Sequence, residues 1–163
     1  MSKYSLENFT AESLEETKVH WSGLVEADAF DVEMGPFFGW ATSHITVKEG
    51  DSVAFALRNN DTSHVDAIAE VVESKGGNMH KMLKIVPSPQ FWDLSKMRQD
   101  LLNLYIETFF HIIQKVGFKS SRKIKIYGRN DEMMSLLRSL HAVWGVPNSK
   151  AEFEGRFLAI TWS

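Results

Sequence analysis

The groups in this chain that can exchange protons are scattered carboxylates and histidines, not a compact motif. Asp66, Glu70 and Glu73 fall within one apolar run, and a strand carboxylate held beside an amine can take its proton as a general base. Strand carboxylates also commonly face solvent with no chemical role. An imidazole can act as an acid, which makes His141 a candidate; the plainer expectation is a partly exposed helix histidine. His20, His44, His64, His80, His111 and His141 include no close ligand pair such as His-x-x-x-His, so no metal site is expected. Ser43-His44 and Ser63-His64 are neighbours in sequence only, which does not make a hydrolase triad. The absence of cysteine removes disulfides, thiolate ligands and cysteine nucleophiles, and fits a reducing compartment.

Anion binding needs free backbone amides or cations. Lys119, Arg122, Lys123 and Lys125 form one local basic cluster, expected to be mostly a solvated turn that could still attract a phosphate. With a net charge of −3 the chain has no general electrostatic pull toward nucleic acid. No stretch approaches the roughly 18 consecutive apolar residues of a membrane span, and residues 1–10 lack a cationic stretch followed by an apolar run. A cytoplasmic protein without membrane contact is the expectation. Gly76-Gly77 is expected to be a hairpin turn, not a phosphate loop.

These groups must be positioned by regular elements, and 163 residues suit a single domain, residues 1–163. Residues 3–8 are short and extended. Thr10 can cap a helix over 11–28 whose acidic first turns suit the positive end of its dipole. Gly35, Pro36 and Gly39 then break any continuation, predicting a loop or short irregular helix. Within it, Gly35-Pro36-Phe37-Phe38-Gly39-Trp40 joins large apolar groups to an adaptable backbone; core burial is the first expectation, and an exposed interaction loop the second.

Strands are predicted at 52–58, 65–73 and 79–86, with Asn59-Asn60-Asp61 and Lys75-Gly76-Gly77-Asn78 as turns, giving an antiparallel meander. Alternation sets Val65, Ala67, Ala69 and Val71 opposite Asp66, Ile68, Glu70 and Val72. Pro87 and Pro89 stop the third of these strands, and Asp93 can cap a long helix to about residue 116. A strand at 123–127, a helix from Asn130 or Asp131 to Trp144, and a final strand at 153–162 complete the order.

Strand, helix, three-strand meander, long helix, strand, helix, strand resembles the GNAT acetyltransferase superfamily across nearly the whole chain. The resemblance implies an α/β (α+β) fold: a mixed sheet with an N-terminal helix, an antiparallel meander, a long central helix and a β-α-β C-terminal part. It also implies a site for acetyl-CoA where the strand ending at Val86 turns into the long helix, with Val86, Ser88, Phe91, Trp92 and Asn130 as cofactor contacts and Glu70 and His141 as catalytic candidates. The chain departs from the family pattern at that turn. No glycine lies between Gly77 and Gly117, two prolines remove amide donors, and Asp93 places negative charge where a pyrophosphate would sit. Leu137 stands where the family often carries a Tyr.

The spacing Val86-x-Ser88-x-Gln90-x-Trp92-x-Leu94-Ser95 is more distinctive. It is similar to small GNAT-like proteins of short-tailed bacteriophages that serve as internal virion or head-assembly components, and the likeness continues weakly through Tyr127-Gly128-Arg129-Asn130 and residues 156–161. The implication is a non-catalytic protein in host cytoplasm or virion, binding protein partners and needing no cofactor. The alternative is an N-acetyltransferase that uses acetyl-CoA with a degenerate cofactor loop.

Overall fold

The computed structural model describes residues 2–46, 51–74, 79–117 and 123–162. In chain order the elements are β1 (Tyr4–Asn8), α1 (Ala11–Ser22), α2 (Ala27–Thr42), β2 (Ser52–Asn59), β3 (Val65–Glu73), β4 (Met79–Pro87), α3 (Leu94–Ile112), β5 (Lys123–Tyr127), α4 (Asp131–Ala142), β6 (Ser149–Glu154) and β7 (Phe157–Trp162). The strands form one mixed sheet in the order β1-β2-β3-β4-β5-β7-β6. Among the described strands only the β4–β5 pair is parallel, and α3 supplies the crossover that a parallel pair requires.

Each face of the sheet carries its own core. On one, Phe55, Leu57, Met82, Ile124, Ile126 and Leu158 pack against Leu104, Phe109 and Ile112 of α3 and Leu137 of α4. On the other, Ala54, Ala56, Val65 and Ile68 pack against Trp21 of α1 and Phe30 and Phe38 of α2. Small residues on that second face let α1 and α2 approach closely. Trp21, fully buried, satisfies its indole by donating to the Val65 carbonyl at 2.8 Å, so its area is buried without an orphaned polar atom.

Local signals start α1, α3 and α4 as the sequence predicts. Thr10 and Ser13 form a reciprocal capping box, with Thr10 Oγ1 accepting from the Ser13 amide at 3.0 Å and Ser13 Oγ from the Thr10 amide at 2.9 Å. Asp93 accepts from the Ser95 amide and Asn130 from the Met133 amide.

Three expectations need correction. The first helix ends at Ser22, not near 28, and Ala27–Thr42 is a full second helix with Pro36 inside it. Phe30, Met34, Phe38 and Ala41 recur at helical spacing and are buried; that burial outweighs the bond Pro36 cannot donate toward exposed Val32. Phe38 is core, whereas Phe37 and Trp40 are partly buried against it. The predicted strand 153–162 is a hairpin, β6 and β7, because Gly155 adopts φ +60° and turns the chain.

The third correction concerns Asp66. Alternation sets it opposite Ala67, but Leu57 pairs with Ala67 and Arg58 with Val65, leaving Asp66 as the extra residue of a β-bulge. A bulge re-aims a side chain, and Asp66 turns onto the α3 face, where Tyr4 Oη donates to it. The predicted turn at residues 75–78, together with Lys119 and Arg122, lies outside the described residues.

Candidate functional site

Among the described residues the parallel ladder between β4 and β5 is short. It pairs Met79 to Met82 with Lys123 to Ile126 and goes no further, although β4 continues to Pro87. At the same point Glu70 pairs with Lys84 and Val71 with Met82, so Leu83 is bulged out of the β3–β4 register. The bulge bends β4 away from β5. Beyond Met82, the β5-facing edge of β4 has no strand partner among the described residues, and a backbone edge in that state offers donors and acceptors to whatever enters.

A cleft of about 170 Å³ occupies this divergence, floored by Met82, Leu83 and Ile85 and walled by Tyr105, Tyr127, Arg129, Asn130 and Glu132. Four elements supply those walls. α3 contributes Tyr105, whose phenol is pushed up from its ordinary value by burial first and Glu132 second, and so stays protonated at neutral pH. β5 contributes Tyr127, its ring 5.0 Å from that of Phe157. The β5–α4 turn brings Arg129 and Asn130; Gly128 leaves room there for Met134, whose Sδ a Cβ would meet at 2.1 Å. Asn130 is fixed by its cap to Met133, at 2.8 Å.

Lys84 lines the same cleft, and its ammonium lies 5.3 Å from the centre of the Phe37 ring. Burial and then the Arg129 charge push its pKa down, with Glu70 opposing. The mouth therefore holds two cations and one carboxylate, a setting for an anionic or carbonyl-bearing group.

The turn that follows β4 is sealed. A 3-10 turn at Pro89–Phe91 places Phe91 in the core, and Ser88 is 1% exposed. The Ser88 amide donates to the Asp66 carbonyl, the Phe91 amide to the Ser88 carbonyl and the Trp92 amide to the Pro89 carbonyl. Asp93 Oδ1 takes both the amide and the hydroxyl of Ser95. Amides spent inside the turn, with a carboxylate over the helix start, do not fit a pyrophosphate.

The sequence-derived candidates scatter accordingly. Of Val86, Ser88, Phe91, Trp92 and Asn130, Asn130 lines the cleft, Val86 and Trp92 belong to the core around α1 and α2, Phe91 is buried toward α3, and Ser88 is bonded within the turn. Glu70 accepts from Ser52 Oγ at 3.0 Å and stands across from Lys84. His141 is exposed in the last turn of α4, 5.2 Å from the Phe153 ring. Leu137 is fully buried. Glu73 lies 3.9 Å from His80. Lys123 and Lys125, the described half of the basic cluster, both bind Glu154. The residues that sequence reasoning missed are Tyr105, Tyr127, Arg129 and Glu132; the only signal for Tyr105 was an apolar helix stripe.

No family model and no curated protein matches the chain. Solved structures do. A GCN5-related N-acetyltransferase from Brucella melitensis superposes with a TM-score of 0.52 at 14% identity, over 99% of this chain and 75% of that one. An acetyltransferase from Thermus thermophilus gives 0.49 at 10% identity over 98% and 96%. The PaiA N-acetyltransferase of Thermoplasma acidophilum in complex with coenzyme A gives 0.44 at 13% over 98% of both chains. The fold is that of the GNAT acetyltransferases, an α+β architecture built, among the described residues, on a mixed seven-stranded sheet with four α-helices. No helix among the described residues is long and apolar enough to cross a membrane.

Proposed function

We propose that the chain is an acyl-CoA-dependent N-acyltransferase with an altered cofactor turn, in which the diverging β4–β5 cleft receives the thioester end of acetyl-CoA. One observation carries this: the bulge at Leu83 and the end of the parallel ladder at Met82 leave an unpaired backbone edge facing a walled cleft. That edge suits a group with amides of its own, which it can hold as a further strand would be held. The site fits the arm of the cofactor and does not fit its pyrophosphate. When bound, the cofactor supplies an acyl group activated as a thioester.

The chain's own residues then have assignable tasks. The β4 edge from Leu83 to Ile85 binds and orients, while Met82 and Met133 exclude water. Tyr105 Oη holds a proton in the cleft, available to a departing thiolate. Arg129 and Lys84 place positive charge at the mouth, in the absence of turn amides. Isothermal titration with acetyl-CoA tests the reading: saturable binding lost on Leu83→Pro, which blocks the edge, supports it, and absence of binding at millimolar concentration overturns it.

A second reading is favoured by the sealed turn alone. Phe91 packed into the core and Asp93 closing the helix start are what a GNAT-like domain reused for protein binding can tolerate, such as a non-catalytic phage or prophage accessory in virion or head assembly. Recovery of portal-associated or head proteins with the tagged chain during productive infection, with no acetyl-CoA binding, would place this reading first.

A further inference from the structure

A larger cavity, about 480 Å³, lies on the other side of α3 from the cleft, and the two share no lining residue. Its floor is Asp66, the bulged residue of β3, which is 3% exposed. Three neutral groups from separate elements converge on this carboxylate: Tyr4 Oη at 3.1 Å and Asn59 Nδ2 at 3.0 Å on Oδ2, and Gln90 Nε2 at 3.1 Å on Oδ1. No cation forms an ion pair with it among the described residues. Burial and the neighbouring Asp66 push the Tyr4 phenol up, so it remains a donor. The wall rises along one face of α3, with Met97, Asp100, Ile106 and Glu107.

Among the described residues the charged groups of this cavity are Asp66, Asp100 and Glu107 against Lys3, three carboxylates and one ammonium, leaving two negative charges unmatched. Lys3 is occupied at the edge, its ammonium 5.6 Å from the centre of the Tyr4 ring. Among the described residues Glu107 forms an ion pair with His111 alone, at 3.5 Å, a partner that is charged only when protonated. Asp100 has no ion pair among the described residues. Neutral donors do not cancel the charge of a buried carboxylate, and Oδ1 has acceptor capacity left, while Phe91, Met97 and Ile106 offer an apolar flank to an aliphatic stem.

We propose that this cavity is a binding site for a small aliphatic amine, its ammonium directed at Asp66 and its stem along Met97 and Ile106, with Asp100 and Glu107 attracting a second positive charge at the rim. The site is separate from the cleft and independent of whether the chain transfers acyl groups. A bulge that turns a carboxylate inward, beneath a cavity rimmed by further carboxylates, gives selectivity for cations over neutral ligands of the same shape.

The full-length chain, titrated calorimetrically with 1,4-diaminobutane at fixed ionic strength, should show one saturable site. The double variant Asp100→Asn/Glu107→Gln, on the exposed side of α3, should bind at least about tenfold more weakly with its thermal midpoint unchanged. Lys3→Gln, which removes the competing ammonium, should bind more tightly. Asp66→Asn should lose binding; if it does not fold, the rim variant decides. Amide shifts on adding 1,4-diaminobutane should centre on Tyr4, Asn59 and Gln90, and 1-butanol should not reproduce them. No saturable binding, equal binding by the rim variant, or equal binding of the alcohol would each overturn the site.

Discussion

Individual side chains here acquire meaning from what converges on them. Tyr105 reads in the sequence as one apolar position of a helix stripe, and only the approach of α3 to the β5–α4 turn makes it a protonated phenol in a cleft. Tyr105→Phe removes the hydroxyl with little change of shape, so turnover should fall by roughly 10²-fold or more while the dissociation constant for acetyl-CoA stays within a factor of about two; steady-state kinetics beside calorimetry would separate the two. Asn130 was legible because a cap has a local signature, whereas Arg129 and Glu132 look like any surface charges until the turn is folded. Glu154 illustrates the same limit: its two partners, Lys123 and Lys125, lie about thirty residues earlier and two strands away. Hydrogen bonds from Lys123 and then Lys125 hold its carboxyl down to about 2 from an ordinary 4.5. Because the folded value is depressed, the stabilisation is complete above about 4.5 and is lost as pH falls toward about 2. Glu154→Gln should flatten that acid limb in urea denaturation series, and an undiminished limb would remove the residue from the account.

At the scale of elements, turn and cap chemistry was readable and tertiary override was not. The capping residues Thr10, Asp93 and Asn130 mark three helix starts as expected, but α2 was obscured because Gly35, Pro36 and Gly39 are breakers in isolation. Its sequence periodicity, Phe30, Met34, Phe38 and Ala41, was the available signal. Pro36 has no amide to donate, so Pro36→Ala should stabilise the chain by up to about 3 kcal/mol, read as a raised thermal midpoint; a lowered midpoint would mean that the proline ring is packed in a way that outweighs the missing bond. The sealed turn gives a second check. Asp93→Ala removes a cap that accepts from the Ser95 amide at 3.2 Å, and should cost about 1 kcal/mol in denaturant unfolding without any gain in acetyl-CoA affinity. A tenfold gain would show that the carboxylate alone, and not the spent amides, closes that end of the site.

For the whole molecule, most of the element order was legible because punctuation separates the strands, whereas α2 and the division of the last strand into β6 and β7 were not; the part that was legible suffices to select the architecture. The bulges at Asp66 and Leu83 were not, since a bulge is a property of two strands in register and neither strand announces it alone. Yet both candidate cavities depend on them, one by turning a carboxylate inward, the other by parting β4 from β5. That parting also has a mechanical side. Among the described residues the sheet is two plates, four strands and three, welded along four residue pairs, while every other seam has at least five. Tension applied across the strands, through handles at Ser5 on one edge and Glu152 on the other, should concentrate at that weld. In single-molecule pulling the three-strand plate with α4 should tear free first as a discrete event, before the meander yields; rupture in one step would mean that α3, lying over both plates, shares the load and acts as the splint.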